Sequence, residues 1–206
     1  MKKENNKLVW VDVYVAPVPD WDVVYPIFPR QRELELQGIS SDRLRREKYH
    51  AWRLLEYALE KSLNLSLESA APYRHWSGKW ISEFCEFSIA HSGGVVAVAV
   101  SHYPVGVDVE RRDRDLGPGF ARRMFTDSEN ELLVASSERL TPIDIWCKKE
   151  AIFKKKGENS FIPRLTETAG ESICSFCVAF SGVEYTLAVA TEDGARVEIL
   201  IPDDFS

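Results

Sequence analysis

Two segments of this chain carry their charged residues on one face each, and they constrain the fold only when taken together. Residues 105–110, Val-Gly-Val-Asp-Val-Glu, are an apolar run that ends in carboxylates. Their alternation is that of a strand, in which residues i and i+2 share a face, so Asp108 and Glu110 point the same way. Residues 146–154, Trp-Cys-Lys-Lys-Glu-Ala-Ile-Phe-Lys, place Glu150 and Lys154 four apart, one turn of a helix, and therefore side by side. A fold that packs this strand against this helix gathers three acids and a base, the donor set for a magnesium ion beside a phosphate.

With 206 residues, 45% of them apolar, the chain can bury a sizeable core as one large domain or two small ones. A formal charge of −6 argues against broad binding to nucleic acid, which needs a net cationic surface. Any polyanion has to be met locally. Residues 1–7 are polar and charged, and the apolar run after them is interrupted by Asp12. That pattern fits a strand better than a signal peptide, and no other stretch approaches a membrane span. The expectation is a cytoplasmic protein with neither membrane nor nucleic-acid partners. Four cysteines in a chain of this length read as reduced core residues rather than a disulfide framework. Cys174 and Cys177 lie three apart in an alternating run, on opposite faces of a strand, with no second pair to complete a zinc site.

Residues 8–15 read as a strand, and Ser40-Ser41-Asp42 supplies N-cap candidates for a long amphipathic helix with Leu44, Tyr49, Trp52, Leu55, Leu59 and Leu63 inward. Residues 84–90 and 95–101 look like strands joined at Ser92-Gly93-Gly94. Beyond the strand at 105–110, Thr126-Asp127-Ser128-Glu129 has a capping-box pattern, and Thr141-Pro142-Ile143-Asp144 offers an N-cap followed by proline at the first helical position. Strands at 174–180, 185–190 and 196–201 close the chain. Each half thus runs strand, helix, strands. This predicts an α+β, pseudo-duplicated fold of two subdomains, 1–103 and 104–206, each a small antiparallel-type sheet packed with helices. An interface between two such halves is a natural ligand cleft, and the two-half layout suggests a monomer.

Taken singly, these residues have plainer explanations. Asp108 and Glu110 read as solvated acids before the charged loop 111–115, and Glu150 with Lys154 reads as a surface ion pair of a few tenths of a kcal/mol. Lys148, Lys149, Lys154, Lys155 and Lys156 are nevertheless crowded into nine residues of an acidic protein, a concentration that an anion would explain. His91 stands at a strand-to-turn junction beside glycines, where a side chain can reach a cleft. Ser77-Gly78-Lys79-Trp80 is an ordinary turn by itself, and Arg53 on the long helix could simply be solvated.

In order along the chain, three motifs resemble those of the 4′-phosphopantetheinyl transferases, specifically the monomeric, two-half Sfp type that activates carrier proteins. They are Gly78-Lys79 with Phe87-Ser88-Ile89-Ala90-His91-Ser92, then Gly106-Val107-Asp108-Val109-Glu110, then Trp146-Cys147-Lys148-Lys149-Glu150-Ala151 with Lys154. The resemblance implies that family's fold and a reaction in which 4′-phosphopantetheine passes from coenzyme A to a serine of an apo acyl or peptidyl carrier protein, releasing 3′,5′-ADP. It implies Mg2+ held by Asp108, Glu110 and Glu150, with Glu150 as the base, directly or through water. It implies Lys154 and His91 on the phosphates, and Lys79 and Arg53 nearer the nucleotide end of coenzyme A. Arg30, Arg32, Arg45 and Lys48 stand as candidates for the 3′-phosphate. Ala90 and Trp80 replace the family's commoner serine and proline. A different magnesium-dependent phosphohydrolase or nucleotidyl transferase, and a binding module for coenzyme A or a carrier protein, are the alternative readings.

Overall fold

Valine and alanine fill residues 95–100 without a polar break, and the strand they form is buried along its whole length, as an interior strand covered on both faces must be. In the computed structural model, which describes residues 9–137, 139–157, 162–203 and 205, this strand lies inside a sheet. The first part of the chain runs β1 (Trp10–Pro17), α1 (Arg30–Gln37), α2 (Asp42–Ala58) with one π-helical turn at Leu59–Leu63, and α3 (Leu67–Ala70). A short hairpin, β2 (Tyr73–Arg74) and β3 (Trp80–Ile81), precedes a longer one, β4 (Glu86–Ser92) and β5 (Val95–Ser101). The second part runs β6 (Gly106–Arg111), α4 (Phe120–Met124), α5 (Asp127–Ala135), α6 (Pro142–Lys156), β7 (Ile173–Phe180), β8 (Val183–Ala190) and β9 (Arg196–Leu200). The strand expected to begin at Leu8 begins at Trp10 among the described residues, and Leu8 lies outside them.

Among the described residues, one sheet has the order β4-β5-β1-β9 and another β6-β8-β7. Their inner faces meet, with Val11, Val13, Val15, Ala97 and Ala99 packed against Val105, Val107, Val109, Leu187 and Val189. Outside the first sheet lies α2, whose Trp52, Leu55 and Leu59 cover Tyr14, Phe87, Val96 and Val98. Outside the second lies α6, whose Cys147, Ala151 and Ile152 cover Ala188 and Ala190. The layers are helix, sheet, sheet, helix, in keeping with a mixed α+β class. No described helix is long and apolar enough to cross a membrane.

Three details differ from expectation. β9 belongs to the first sheet, running parallel to β1 with Val197 opposite Val11 and Ile199 opposite Val13. β8 already has β6 and β7 on either side, so the strand that follows cannot pair with its predecessor and takes the free edge of β1. The division at residue 103 is therefore crossed by one strand, and the first sheet is not wholly antiparallel. Leu44, expected inward, is exposed in the first turn of α2. Cys85 and Cys147 are buried as expected, Cys174 is half-buried, and Cys177 is exposed on the outer face of β7.

Helix α6 lies unusually close to β6. A Cβ built on Gly106 would stand 1.9 Å from the Ala151 carbonyl oxygen and 2.5 Å from the Lys155 nitrogen, so only glycine permits the contact. On the opposite flank, α1 and α2 are joined by a polar cluster. Glu35 accepts from Arg32 Nη1 at 2.8 Å, Lys48 Nζ at 3.0 Å and Trp80 Nε1 at 3.1 Å. Burial alone would raise the Glu35 carboxyl, but the Arg32 guanidinium and the Lys48 ammonium outweigh it and hold it down to about 2.

Two expectations follow from these contacts. Gly106→Ala should lower stability by at least about 1–3 kcal/mol, the usual range for overpacking, as read by urea unfolding; an unchanged midpoint would contradict the close approach. A carboxyl lowered by folding contributes stability that is present above its ordinary value of 4.5 and lost as pH falls toward 2. Unfolding measured across that interval should show less acid sensitivity in Glu35→Gln than in the native chain, and equal sensitivity would remove Glu35 from the account.

Candidate active site

The odd residues of β6, Val107 and Val109, enter the core between the sheets, which turns Asp108 and Glu110 toward α6. The helix is fixed at its start by a capping box between Thr141 and Asp144 with Pro142 in the first turn. Asp144 is held in turn by Thr186 Oγ1 at 2.6 Å and Arg112 Nη1 at 3.0 Å. Farther along, the fully buried Lys149 lies 2.6 Å from Glu129 Oε2 and donates to the Pro163 and Thr166 carbonyls. These anchors set the rotation of α6, so that Glu150 and Lys154 overlie the carboxylates of β6.

The ion pair that forms there joins strand to helix: Lys154 Nζ donates to Asp108 Oδ1 at 2.7 Å. Glu110 is held at both oxygens, by Arg114 Nη1 at 2.6 Å and by Ser92 Oγ at 2.7 Å. Asp108 and Glu110 are both buried, and Asp108 Oδ2 has no hydrogen-bond partner among the described residues. Burial raises the Asp108 carboxyl against the pull of Lys154, and Glu110 raises it further. Burial and then the Asp108 charge push Glu150 up to about 7, although Lys154 opposes them. Lys154 itself is lifted, because Asp108 and Glu150 outweigh its burial.

Among the described residues, no three acidic, histidine or cysteine side chains are already drawn together as a metal cage. Asp108 Oδ1 and both Glu110 oxygens are taken by cationic or hydroxyl groups of the chain itself. The donor chemistry nonetheless fits a hard divalent cation. Three carboxylates repel one another, one buried oxygen is unpartnered, and a cation relieves both penalties.

His91, the last residue but one of β4, lies on the face turned to α2, with Nδ1 3.1 Å from Glu47 Oε2. Glu47 Oε1 also accepts from Arg43 Nε and from the Gly94 amide, each at 3.0 Å. The next residue, Ser92, points the other way and reaches Glu110. Around this turn run two adjoining clefts that share Arg43, Gly93 and Arg111. One, of about 350 Å³, adds Arg46, and the other, of about 370 Å³, adds Arg114. Together they form an arginine-lined groove beside the carboxylates.

Lys79 Nζ donates to the Lys154 carbonyl at 2.7 Å. The two lysines share a cleft of about 320 Å³ with Trp80, Phe87, Ile89 and Phe153. Arg53 is not brought to these groups. It pairs with Glu56 and lines a separate cleft with Phe28, Glu33 and Trp52, because it lies on a different face of α2 from Glu47. The four candidates for a phosphate at the N-terminal side are also engaged elsewhere: Arg30 with Glu33, Arg32 and Lys48 with Glu35, and Arg45 with Asp42.

The crowding of lysines on α6 has a mostly internal cause. Besides Lys149 and Lys154, Lys155 pairs with Glu192 and Lys156 with Glu171. An external anion is not needed to explain them. Sequence reasoning missed Ser92, Glu47, Arg43 and Arg111 as neighbours of the site. It also missed Arg114, which the turn after β6 brings back to Glu110.

A comparison with known families places this geometry. Residues 104–182, which hold Asp108, Glu110, Glu150 and Lys154, match the family model of the 4′-phosphopantetheinyl transferase superfamily. It is similar to the 4′-phosphopantetheinyl transferase gsp of Aneurinibacillus migulanus, 29% identical over 53% of this chain and 48% of the relative. It is also similar to 4′-phosphopantetheinyl transferase Sfp of Bacillus subtilis, 30% identical over 37% of this chain and 35% of the relative. A third relative, 4′-phosphopantetheinyl transferase psf-1 of Bacillus pumilus, is 30% identical over 54% of this chain and 55% of its own length. The chain thus spans about half or less of the length of the curated relatives it matches.

The Lys149–Glu129 pair generates a test of how α6 is held. Lys149→Met leaves the Glu129 carboxylate buried without its cation and should cost about 3–5 kcal/mol in chemical unfolding. A loss under about 1 kcal/mol would mean that other contacts set the rotation of the helix.

Proposed function

We propose that this chain transfers the 4′-phosphopantetheine group of coenzyme A to a serine hydroxyl of an apo acyl or peptidyl carrier protein, releasing 3′,5′-ADP. The observation that carries the reading is the strand–helix cluster of Asp108, Glu110, Glu150 and Lys154 beside an arginine-lined groove. It lies within the segment that matches the superfamily.

Asp108, Glu110 and Glu150 are the residues that would hold Mg2+, which when bound supplies charge neutralisation at the pyrophosphate. Lys154, already drawn to Asp108, and His91, held by Glu47, stand where they can balance phosphate charge. Arg43, Arg46 and Arg111 line the groove beside the turn that carries His91 and Ser92 and are offered for the remaining phosphate by that position, although each is itself paired, with Glu47, Asp20 and Asp113. The uncharged pantetheine arm has the apolar cleft of Trp80, Phe87, Ile89 and Phe153 to lie in. In the chemical step the serine oxygen attacks the β-phosphorus, its proton passes to Glu150, and the bond to the 3′,5′-ADP oxygen breaks. Preorganised cationic groups of this kind are worth roughly 3–4 kcal/mol each in the transition state.

The same reading takes 1–103 and 104–206 as two related halves with the cleft between them, working as a monomer in the cytoplasm. Incubation with coenzyme A, Mg2+ and a panel of apo carrier proteins should add the phosphopantetheine mass to a carrier. No gain across the panel would overturn the transferase reading. Glu150→Gln and Asp108→Ala should each lower the transfer rate by at least about 100-fold, the scale of losing a general base or a charge-stabilising group, with circular dichroism unchanged. Native rates in either variant would remove that residue from the chemistry.

A further inference from the structure

The hairpin that carries Lys79 is too short to hold its own orientation. β2 and β3 pair at only two positions, Tyr73 with Ile81 and Arg74 with Trp80, and an isolated hairpin even of ordinary length is marginal in water. Something outside the ladder must fix where it points. The residue next to Lys79 meets that need. Trp80 sets its ring 4.8 Å from that of Trp52 on α2, tilted by 58°, and its Nε1 donates to Glu35 on α1 at 3.1 Å. The buried Arg32 guanidinium lies 4.9 Å from the Trp52 ring centre and 6.0 Å from that of Trp80, within range of attraction to both.

Each partner in this clamp is itself fixed. Trp52 Nε1 donates to the Phe28 carbonyl at 2.7 Å, and Arg32 Nη2 donates to the Lys48 carbonyl at 2.6 Å. The Arg74 amide, on the other strand of the hairpin, donates to Gln31 of α1 at 3.3 Å. Lys79, adjacent to Trp80, reaches across to the Lys154 carbonyl near the end of α6, where a cation also complements the helix dipole. The two neighbouring side chains thus tie the hairpin to the two flanks of the apolar cleft, one to α1 and α2 and the other to α6.

We propose that Trp80 is a positioning residue: clamped among Arg32, Trp52 and Glu35, it holds the hairpin so that Lys79 stands in the cleft beside Lys154, and it thereby sets the affinity for coenzyme A. The inference rests on the transferase reading for its ligand, while the clamp itself can be tested without turnover.

The test combines hydrogen exchange of the hairpin amides with steady-state kinetics on Trp80→Ala and Trp80→Phe. In Trp80→Ala the amides of residues 73–81 should lose protection while those of α6 keep theirs. The KM for coenzyme A should rise at least about 10-fold, equivalent to about 1.4 kcal/mol of binding, with a much smaller fall in kcat. Trp80→Phe, which keeps a ring beside Trp52 and Arg32 but loses the donor to Glu35, should recover part of both effects. Native exchange in the hairpin of Trp80→Ala overturns the clamp, and a KM no higher than native, or a Phe variant as impaired as the Ala variant, overturns its link to affinity. A native chain that neither binds coenzyme A nor loads a carrier overturns the transferase reading, an outcome distinct from loss of the clamp because the exchange result stands apart from it.

Discussion

The candidate site depends on how closely α6 lies on β6 at Gly106. Without a side chain at that position, the helix backbone settles against the strand, and the residues two and four places on, Asp108 and Glu110, come under the residues of α6 that face them. Any larger residue would lift the helix and carry Lys154 away from Asp108. The glycine therefore does through sterics what the charged groups cannot do alone. Bringing three carboxylates together is unfavourable, and neutral packing has to supply the force. Val107 and Val109 on one side of β6, with Cys147, Ala151 and Ile152 on α6, supply it.

What results is a site under electrostatic tension. Asp108 is raised by burial despite Lys154, Glu150 is pushed up to about 7, and one oxygen of Asp108 is buried without a partner among the described residues. A structural salt-bridge network tends toward the opposite condition, in which each acid is lowered by its partners. That condition is found elsewhere in this molecule: Glu35 is held down to about 2, and Glu129 and Asp144 are also lowered because their partners outweigh burial. The acids on the flanks are lowered by their partners, whereas Asp108 and Glu150 at the centre are raised, a contrast of the kind that marks candidate functional groups.

Much of this was legible in the sequence because it followed from local periodicity. The alternation at 105–110 placed Asp108 and Glu110 on one face, and the four-residue spacing on α6 placed Glu150 with Lys154. The capping patterns at Thr126 and Thr141 form as their residues predict. Long-range pairing was not legible. Nothing local says that Lys149 will face Glu129, that Lys155 will find Glu192, or that Arg32 and Lys48 will share Glu35, so basic residues that read as free for an anion prove engaged. Arg53 stands apart from the carboxylates for the same reason, since which face of α2 meets β4 is decided by packing. The transfer of β9 to the first sheet depends on which strand edges remain open, which only the assembled topology decides.

The central claim is that Asp108, Glu110 and Glu150 together form a divalent-cation site, and the most direct measurement is Mn2+ binding followed by electron paramagnetic resonance with coenzyme A present. The native chain should bind Mn2+, Mg2+ should compete for the site, and Asp108→Asn, Glu110→Gln and Glu150→Gln should each weaken binding by at least about 10-fold, as expected for loss of a charged ligand. Binding of equal strength in all three variants, or no binding by the native chain, would contradict the account.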